Sequence, residues 1–422
     1  MEMPKGTLKD IHRRVATTIL FESSGGMVDK AAHVPEIRFA VLEPGVDTTS
    51  IDNAASALEG RAFYLRKVGR DGFRFGFKPT LRKVVGDRRA ALDEAEIRKF
   101  EREAIRKEFE KGMSLPIIAF PKDATEIANA PRLTLIVGDP ETPYTDGLRP
   151  ELARWTRERS RTDPRLYPGA LIWCLKKDTK ELREKVELAL AWKRVKDEIE
   201  SGSLGGDFEP ADRQEITSNV RESEDEVKEE VWAGYRFVVI YDQKSADSLR
   251  TIDLGAGHAS AGQTLTTRVM AALKAEGYLN ENVGGGYIDR NWPEALKASG
   301  AWSLAGLRKS FLDGSLTRLP DPEGALKTSI PRLVERGEFG LASGQKADGT
   351  YERLWINELV PSEEVTFDSG TFLLQKSRAL SLRAPVGQIA PAGSGTLGPS
   401  AASVLKSPPG AVASTTTEVR PE

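Results

Sequence analysis

Apolar residues recur at helical spacing at the start of the chain and then alternate with polar residues. Residues 7–22 place apolar side chains every three or four positions, which predicts an amphipathic helix. A shorter helix is predicted over residues 51–58, and Gly60 marks its end. Residues 62–68 and 73–77 interleave apolar and basic residues and predict two strands, because the Asp-Gly step between them is typical of a tight turn. A helix followed by a two-stranded ribbon is the outline of a winged helix.

The predicted ribbon carries a local excess of positive charge. Between residues 61 and 89 there are ten Lys or Arg residues and two Asp residues. Such an excess attracts a phosphate backbone. The predicted DNA-contact residues are Arg66, Lys67, Arg70, Arg74 and Lys78 on the ribbon, with Arg82 and Lys83 just after it. The same charges also suit the solvated face of any hairpin, and small winged domains also bind proteins, so both interpretations stay open.

The pattern changes in the middle of the chain, where short apolar runs alternate with helical patterns. The predicted strands cover residues 116–120, 133–137, 170–175 and 235–241, and the predicted helices between them cover residues 151–160 and 180–200. This alternation predicts an α/β sheet that is buried on both faces. Residues 88–111 predict a charged connecting helix, and the acidic residues 201–230 predict a partly helical, solvated excursion. Residues 37–42 fit either a strand or a helical turn.

A third unit repeats the order helix, strand, turn, strand, with less charge than the first. Its predicted helix covers residues 325–336, and its predicted strands cover residues 339–342 and 351–356. From residue 385 onward Gly, Pro, Ala, Ser and Thr dominate, which predicts a disordered tail. The predicted fold class is therefore α/β with winged-helix units. The predicted divisions are a helix plus winged helix (1–87), a connecting helix (88–112), an α/β domain (113–245) with an acidic insertion (201–230), a helical and winged-helix-like domain (246–384) and the tail (385–422).

Composition narrows the classes of function. The formal net charge of −2 shows that the basic region is local and is offset by acidic segments. One cysteine and three histidines argue against a disulfide framework or a zinc site and fit a reducing compartment. No apolar run approaches the ~18 residues that span a membrane, and the first residues lack the apolar segment of a secretion signal. We therefore expect a cytoplasmic protein without membrane contact.

Three short motifs suggest cofactor chemistry but lack the context that each one needs. The sequence IDLGAG at 252–257 resembles a methyltransferase nucleotide loop, but polar residues 244–250 precede it and His258 follows it. The sequence LTLIVGDPE at 133–141 resembles a magnesium-binding strand of an ATPase, but the chain has no G-x-x-x-x-G-K-[ST] loop. The glycines at 284–286 form a predicted loop with no helix start suited to phosphate. We expect no catalytic centre, no cofactor or metal in this chain, and neither binding nor hydrolysis of ATP.

Several stretches of the chain resemble a family of large bacterial ATP-binding proteins, the domain of unknown function 499 family of anti-phage islands. The resembling stretches are FESSGGM, VPEIRFAVLEP, AFYLRKVGRDGFRFGFKPTLRKVVGDRR, PRLTLIVGDPE, YPGALIWCLKKDTKELREKVELALAWKRVKDEI and LTTRVMAALKAEGYL. The resemblance implies that this chain corresponds to the C-terminal half of a split or truncated protein, whose ATPase module lies upstream. It also implies a DNA-associated defence component that works beside an adenine-specific DNA methyltransferase or a helicase.

Two functions from different classes follow from these observations. The first is a non-catalytic DNA-binding and scaffolding segment of an ATP-dependent anti-phage system, which contacts DNA without sequence preference. The alternative is a protein-interaction module that docks an ATPase or DNA methyltransferase subunit without touching DNA. The observation that distinguishes the two functions is the exposure of the basic residues between 66 and 78. DNA binding requires them to be exposed, whereas coverage by the chain's own α/β domain would favour the protein-interaction module.

Overall fold

The structure, a computed structural model, describes residues 10–24, 30–76, 80–112, 115–204, 210–260 and 262–383. Its N-terminal unit comprises α1 (Ile11–Ser23), β1 (Ala32–His33), α2 (Val34–Val41), α3 (Thr48–Glu59), β2 (Leu65–Val68), β3 (Gly72–Phe75) and α4 (Leu81–Ala90). The central unit comprises α5 (Glu94–Glu110), β4 (Ile117–Ala119), β5 (Thr134–Val137), α6 (Arg149–Arg157), β6 (Glu158–Ser160), β7 (Asp163–Pro164), β8 (Leu171–Lys176), α7 (Glu181–Glu200), α8 (Pro210–Gly234), β9 (Tyr235–Tyr241), β10 (Leu249–Asp253) and α9 (Leu265–Ala275). The C-terminal unit comprises α10 (Gly285–Arg290), α11 (Glu294–Lys297), β11 (Ala301–Ser303), α12 (Leu304–Ser310), α13 (Pro322–Glu335), β12 (Phe339–Gln345), β13 (Tyr351–Trp355), β14 (Thr371–Gln375) and α14 (Lys376–Arg383).

In the N-terminal unit, helices α1, α2 and α3 pack on a small antiparallel sheet with the strand order β1-β3-β2, while α4 packs against α7 of the central unit. Helix α3 begins where the Asp47 carboxylate accepts a hydrogen bond from the Ser50 amide at 2.7 Å, which satisfies an otherwise unpaired donor. Helix α2, which covers most of the ambiguous residues 37–42, begins with a proline in its first turn. The core of this unit is formed by Ile11, Val15, Ile19, Ile37, Ile51, Leu65 and Phe73.

The central unit is a five-stranded sheet with the order β10-β9-β8-β5-β4. Strands β4, β5 and β8 run parallel, and β9 and β10 extend the sheet in antiparallel pairing. On one face, core residues include Phe109 of α5, Val186 of α7, Trp232 of α8 and Val269 of α9. Helix α6 packs on the other face. The α/β sheet predicted from the alternating pattern is therefore confirmed, and the four predicted strands coincide with β4, β5, β8 and β9 to within two residues.

The acidic residues 201–230 differ from the expected solvated excursion. Within the described residues they form most of helix α8, which packs along α7. Ile216, Val227 and Val231 are buried against the rest of the central unit. Four carboxylates of the helix are exposed, and the others are half-buried. The run of charged residues concealed these apolar positions, because four carboxylates lie between Ile216 and Val227 and two lie between Val227 and Val231.

The C-terminal unit has a four-stranded antiparallel sheet with the order β11-β14-β12-β13. Its predicted helix and hairpin correspond to α13, β12 and β13. The sequence pattern of residues 302–311 predicts a helix, but Trp302 lies in β11, where it pairs with Leu373 of β14, and helix α12 begins at Leu304. Strand β14 had no counterpart in the sequence-based prediction, yet it forms the centre of the sheet together with β12.

One buried arginine joins the C-terminal unit to the central sheet. Arg318 donates from Nε to the carbonyl of Gly169 at 2.6 Å and from Nη2 to the carbonyl of Tyr241 at 2.5 Å. Burial lowers the pKa of its guanidinium to about 10. The main chain at Gly169 also approaches that of residues 312–314 closely. The two units therefore meet through backbone groups as well as side chains.

The described part of the chain is a mixed α/β structure with several separate sheets. Among the helices in these ranges, none combines the length and apolar character needed to cross a bilayer. The charged helix expected over residues 88–111 is present as α5 only from Glu94 to Glu110. Residues 88–90 end α4, and residues 91–93 separate the two helices. The predicted tail, residues 385–422, lies outside the described residues.

Candidate nucleic-acid interface

The basic ribbon exists as a hairpin that is shorter than the sequence pattern indicated. Strands β2 and β3 pair over four residues each, with Leu65 opposite Phe75 and Val68 opposite Gly72. Gly69 has φ +64°, a conformation that glycine adopts without the strain imposed on other residues. Gly72, expected in the turn, is instead the first residue of β3. A Cβ there would lie 2.7 Å from the Val68 carbonyl oxygen, so this close strand approach requires glycine.

The hairpin presents its cations in two directions. Arg66 and Arg74 lie directly opposite one another, on the face away from the buried Leu65 and Phe73. Lys67 pairs with Phe73 and so lies on the inner face, beyond the edge of the core, where it is exposed. Arg70 is exposed in the turn at the tip.

The remaining predicted contact residues have different surroundings. Arg82 is exposed on α4. Lys83, on the same helix, pairs with Asp87, and its Nζ lies 5.3 Å from the centre of the Phe63 ring. Lys78 lies outside the described residues.

Two further arginines of the basic segment have structural partners. The Arg88 Nε lies 2.7 Å from the Glu198 carboxylate of α7. The Arg89 Nη2 lies 3.0 Å from the Glu187 carboxylate of the same helix. These ion pairs attach α4 to the central unit, so part of the positive excess counted in the sequence serves packing within the chain.

Acidic residues of α8 share a cleft with the hairpin. Arg66, Lys67 and Arg82 line a cavity of about 380 Å³ together with Asp212 and Glu215. The chain's own carboxylates are thus placed beside the cations predicted to contact phosphates. The hairpin is neither fully exposed nor covered: Lys67 and Arg70 remain exposed, and the beginning of α8 borders one side.

Helix α3 contributes no positive charge to this surface. Its sequence, TTSIDNAASALE, contains no Lys or Arg, and its outward positions include Thr49, Asn53 and Ser56. Asp52 of this helix pairs with Arg38 of α2 through two hydrogen bonds, one of 3.0 Å from Nε. Phosphate attraction would therefore come from the hairpin and α4, while α3 offers only neutral hydrogen-bonding groups.

The glycine-rich sequence at 252–257 does not form an open loop. Ile252 and Asp253 end the antiparallel edge strand β10, and helix α9 begins only at Leu265. The guanidinium of Arg268 donates to the carbonyls of Leu254 at 3.0 Å and Gly255 at 2.8 Å, and a Cβ at Gly257 would collide with it. The Arg268 side chain therefore lies directly against residues 254–257.

The glycines at 284–286 differ from their predicted context. A helix start is present, because α10 begins at Gly285. The carboxylate of Glu338 lies so close to Gly285 that a Cβ on this glycine would be 2.1 Å from Oε2. The negative charge of Glu338 at this position disfavours an anion.

The acid that follows β5 has a partner from α5. The Asp139 carboxylate lies 2.5 Å from Nη2 of Arg102, and its other oxygen accepts the Glu141 amide at 2.9 Å. Nearby, burial raises the pKa of the Glu101 carboxyl and lowers the pKa of the Lys176 ammonium. Cys174 of β8 is also buried, which raises the pKa of its thiol to about 12 and leaves it unreactive. The sequence Gly138-Asp139-Pro140, which predicts a turn at the end of a strand, follows Val137, the last residue of β5, and the turn begins at Pro140.

No protein-family model, curated protein or solved structure matches the chain.

Proposed function

We propose that the N-terminal unit is a winged helix that binds duplex DNA through its hairpin without sequence preference. The order α1-β1-α2-α3-β2-β3, with β3 between β1 and β2, supports this assignment of the fold. The observation that carries the function is the clustering of cations on one hairpin, with Lys67 and Arg70 exposed at its outer end. Contacts of this kind add affinity through phosphates and carry little sequence information.

Neutralising the hairpin is expected to weaken DNA binding and reduce its dependence on salt. The variant replaces Arg66, Lys67, Arg70 and Arg74 with Gln. For every phosphate that the variant no longer neutralises, the slope of log K against log salt should become shallower by about 0.9, because fewer counterions are released on binding. Fluorescence anisotropy with a labelled random-sequence duplex, titrated at several salt concentrations, measures both quantities.

A control variant removes the same number of charges from the C-terminal unit. Lys297, Lys327, Arg336 and Lys346 are all exposed there, and their replacement with Gln should leave the salt slope unchanged. If both variants lower affinity equally, the effect is one of net charge and the hairpin assignment is wrong. An unchanged slope in the hairpin variant contradicts it directly.

The carboxylates of α8 are expected to oppose DNA binding. Replacing Asp212 with Asn and Glu215 with Gln removes two negative charges from the cleft that Arg66 and Lys67 line. Because exposed charges interact by only a few tenths of a kcal/mol to about 1 kcal/mol, the affinity for duplex should rise by about threefold at low salt. The same anisotropy assay measures the change, and the exposed pair Glu276→Gln and Asp289→Asn is the control. Equal effects from both pairs, or a fall in affinity, would show that α8 does not face the bound duplex.

The second candidate is a protein-interaction module, and one feature of the surface favours it. Phe39 of α2 is 91% exposed and Phe21 of α1 is 73% exposed, which is unusual for large apolar side chains. The partner would be a subunit with an apolar patch, such as an ATPase or a DNA methyltransferase. Loss of complex formation on Phe39→Ser, with unchanged DNA binding by both charge variants, would establish this function in place of the first.

The resemblance of the sequence to the domain of unknown function 499 family supports a wider proposal. According to this wider proposal, the chain is the DNA-associated, non-catalytic half of an anti-phage system, and ATP hydrolysis resides in an upstream module. Co-purification of the chain with a protein that carries a phosphate-binding loop tests the proposal, and ATP hydrolysis by the isolated chain would overturn it.

A further inference from the structure

The pairing of the N-terminal hairpin extends one residue before β2 and one residue after β3. The Gly76 amide donates to the Tyr64 carbonyl at 2.9 Å, next to the pair formed by Leu65 and Phe75. Because successive side chains of paired strands point to opposite faces, Tyr64 lies on the face that carries Arg66, away from the buried Leu65. The outer face of the hairpin therefore presents an aromatic residue beside its cations.

The Tyr64 ring is accessible on this outer face. Tyr64 is 46% exposed. The residue opposite it is Gly76, which has no side chain, so the directly opposed residue cannot cover the ring. The next residues along the same face are Arg66 and, diagonally across, Arg74. An exposed aromatic ring that adjoins cations is the arrangement on which proteins stack the bases of single-stranded nucleic acid.

The backbone that leads to Tyr64 is held in place by hydrogen bonds. The Ala62 amide donates to the Leu58 carbonyl at 2.7 Å, and the Phe63 carbonyl accepts from the Thr80 amide at 2.6 Å. Together with the bond from Gly76, these contacts fix the segment before any ligand binds. A ring on a fixed backbone loses little conformational entropy when a base stacks on it.

Two exposed arginines near Tyr64 are available for phosphates. Arg61 and Arg82 form no ion pair with any residue that the structure describes. A Cβ on Gly60 would lie 3.9 Å from Nη1 of Arg82, so this guanidinium is close to the backbone that leads into Arg61. Cations beside an aromatic residue let one surface hold both the phosphates and a base of the same strand.

The acidic residues of α8 border a different part of the hairpin. Asp212 and Glu215 share a cleft with Leu65 and Arg66, and Tyr64 is not among the described residues that line it. A base can therefore approach the Tyr64 ring without displacing the chain's own carboxylates.

We propose that Tyr64 stacks on an unpaired base, so that the hairpin binds DNA with a single-stranded segment more tightly than fully paired DNA. In a duplex, neighbouring bases cover the faces of each base, and only an unpaired base can offer its face to a side chain. Stacking tolerates every base, which agrees with binding that has no sequence preference. This inference rests on the proposed DNA binding by the hairpin, because the cations supply the attraction to phosphates.

Fluorescence anisotropy of the full chain at one salt concentration, with three labelled probes, tests the proposal. The probes are a duplex, the same duplex with a single-stranded tail, and the same duplex with a tail of equal length made of abasic sites. The two tails carry equal charge, so the natural tail should bind about tenfold more tightly than the abasic tail only because its bases stack.

Equal binding of the two tails, or tighter binding of an RNA tail of the same sequence, would overturn the inference. If the duplex still binds and the hairpin charge variant still weakens it, the proposed DNA function survives that result. Absence of binding to all three probes would reject both. The comparison of the tails uses the parent protein and so decides the matter without any variant.

Three variants assign the effect to Tyr64. Tyr64→Ser should weaken binding of the natural tail by about tenfold and leave binding of the abasic tail unchanged, whereas Tyr64→Phe keeps the ring and should bind as the parent does. Phe39→Ser removes an exposed aromatic side chain from α2 and is the matched control, with no change expected for either tail. Circular dichroism verifies that each variant is folded. A folded Tyr64→Ser variant that binds both tails as the parent does, or weakens both equally, would overturn the assignment to Tyr64.

Discussion

Replacing Gly169 with Ala is expected to lower the free energy of unfolding by about 3 kcal/mol. A Cβ at this position would lie 2.6 Å from the Gly314 amide nitrogen and 2.7 Å from the Leu312 carbonyl oxygen. Both are main-chain atoms of the C-terminal unit, so no side-chain rotation relieves the overlap. The two units would have to separate locally, which exposes the buried surface between them. Urea denaturation followed by circular dichroism measures the change.

The same substitution at Gly86 is the control. Gly86 lies in the interior of α4, and a Cβ there meets, within 4 Å, none of the described residues apart from its chain neighbours and the backbone of its own helix. Alanine favours a helix interior over glycine, so Gly86→Ala should raise the free energy of unfolding by about 0.5–1 kcal/mol. A neutral Gly169→Ala would mean that the units do not pack as closely as the structure shows.

Arg318→Met is expected to cost about 3 kcal/mol of stability, because two charge-assisted hydrogen bonds disappear. The side chain of Arg318 is 3% exposed, and its partners are the carbonyls of Gly169 and Tyr241. Methionine occupies a similar volume but donates nothing, so both buried carbonyls lose their donors. Urea denaturation gives the decrease in stability, and increased cleavage between the units in limited proteolysis shows where it acts.

Arg336→Met is the matched control for this prediction. The Arg336 side chain is 69% exposed in the same unit, so its replacement should change stability by no more than about 0.5 kcal/mol. Because Gly169 accepts from Arg318, the double variant Gly169→Ala, Arg318→Met should be less destabilised than the sum of the two single variants. Strict additivity would show that the two sites do not share one interface.

Local pattern was sufficient for strands whose own residues are mostly apolar or alternate regularly between apolar and polar. The apolar runs at β5, β8 and β9 are continuous because these strands are buried on both faces of the sheet. The hairpin β2–β3 was predictable because its turn chemistry and alternation are local. Short or polar strands could not be predicted from local pattern. Strand β10 is an edge strand with two exposed positions, and β14 is central only because strands distant in sequence flank it.

The sequence by itself determined the α/β class of the central sheet, the positions of its main strands and the concentration of cations between residues 61 and 89. Tertiary structure alone decided which of those cations remain available at the surface. Arg88 and Arg89 became ion-pair partners of α7, whereas Lys67 and Arg70 stayed exposed. It also brought Asp212 beside Arg66 and placed Arg268 over a loop that resembles a cofactor site. The physical reason is that the charge of a segment and its apolar periodicity follow from consecutive residues. Ion pairs, and the contact of one side chain with a remote loop, depend instead on residues that are far apart in sequence and that folding brings within a few ångströms of each other.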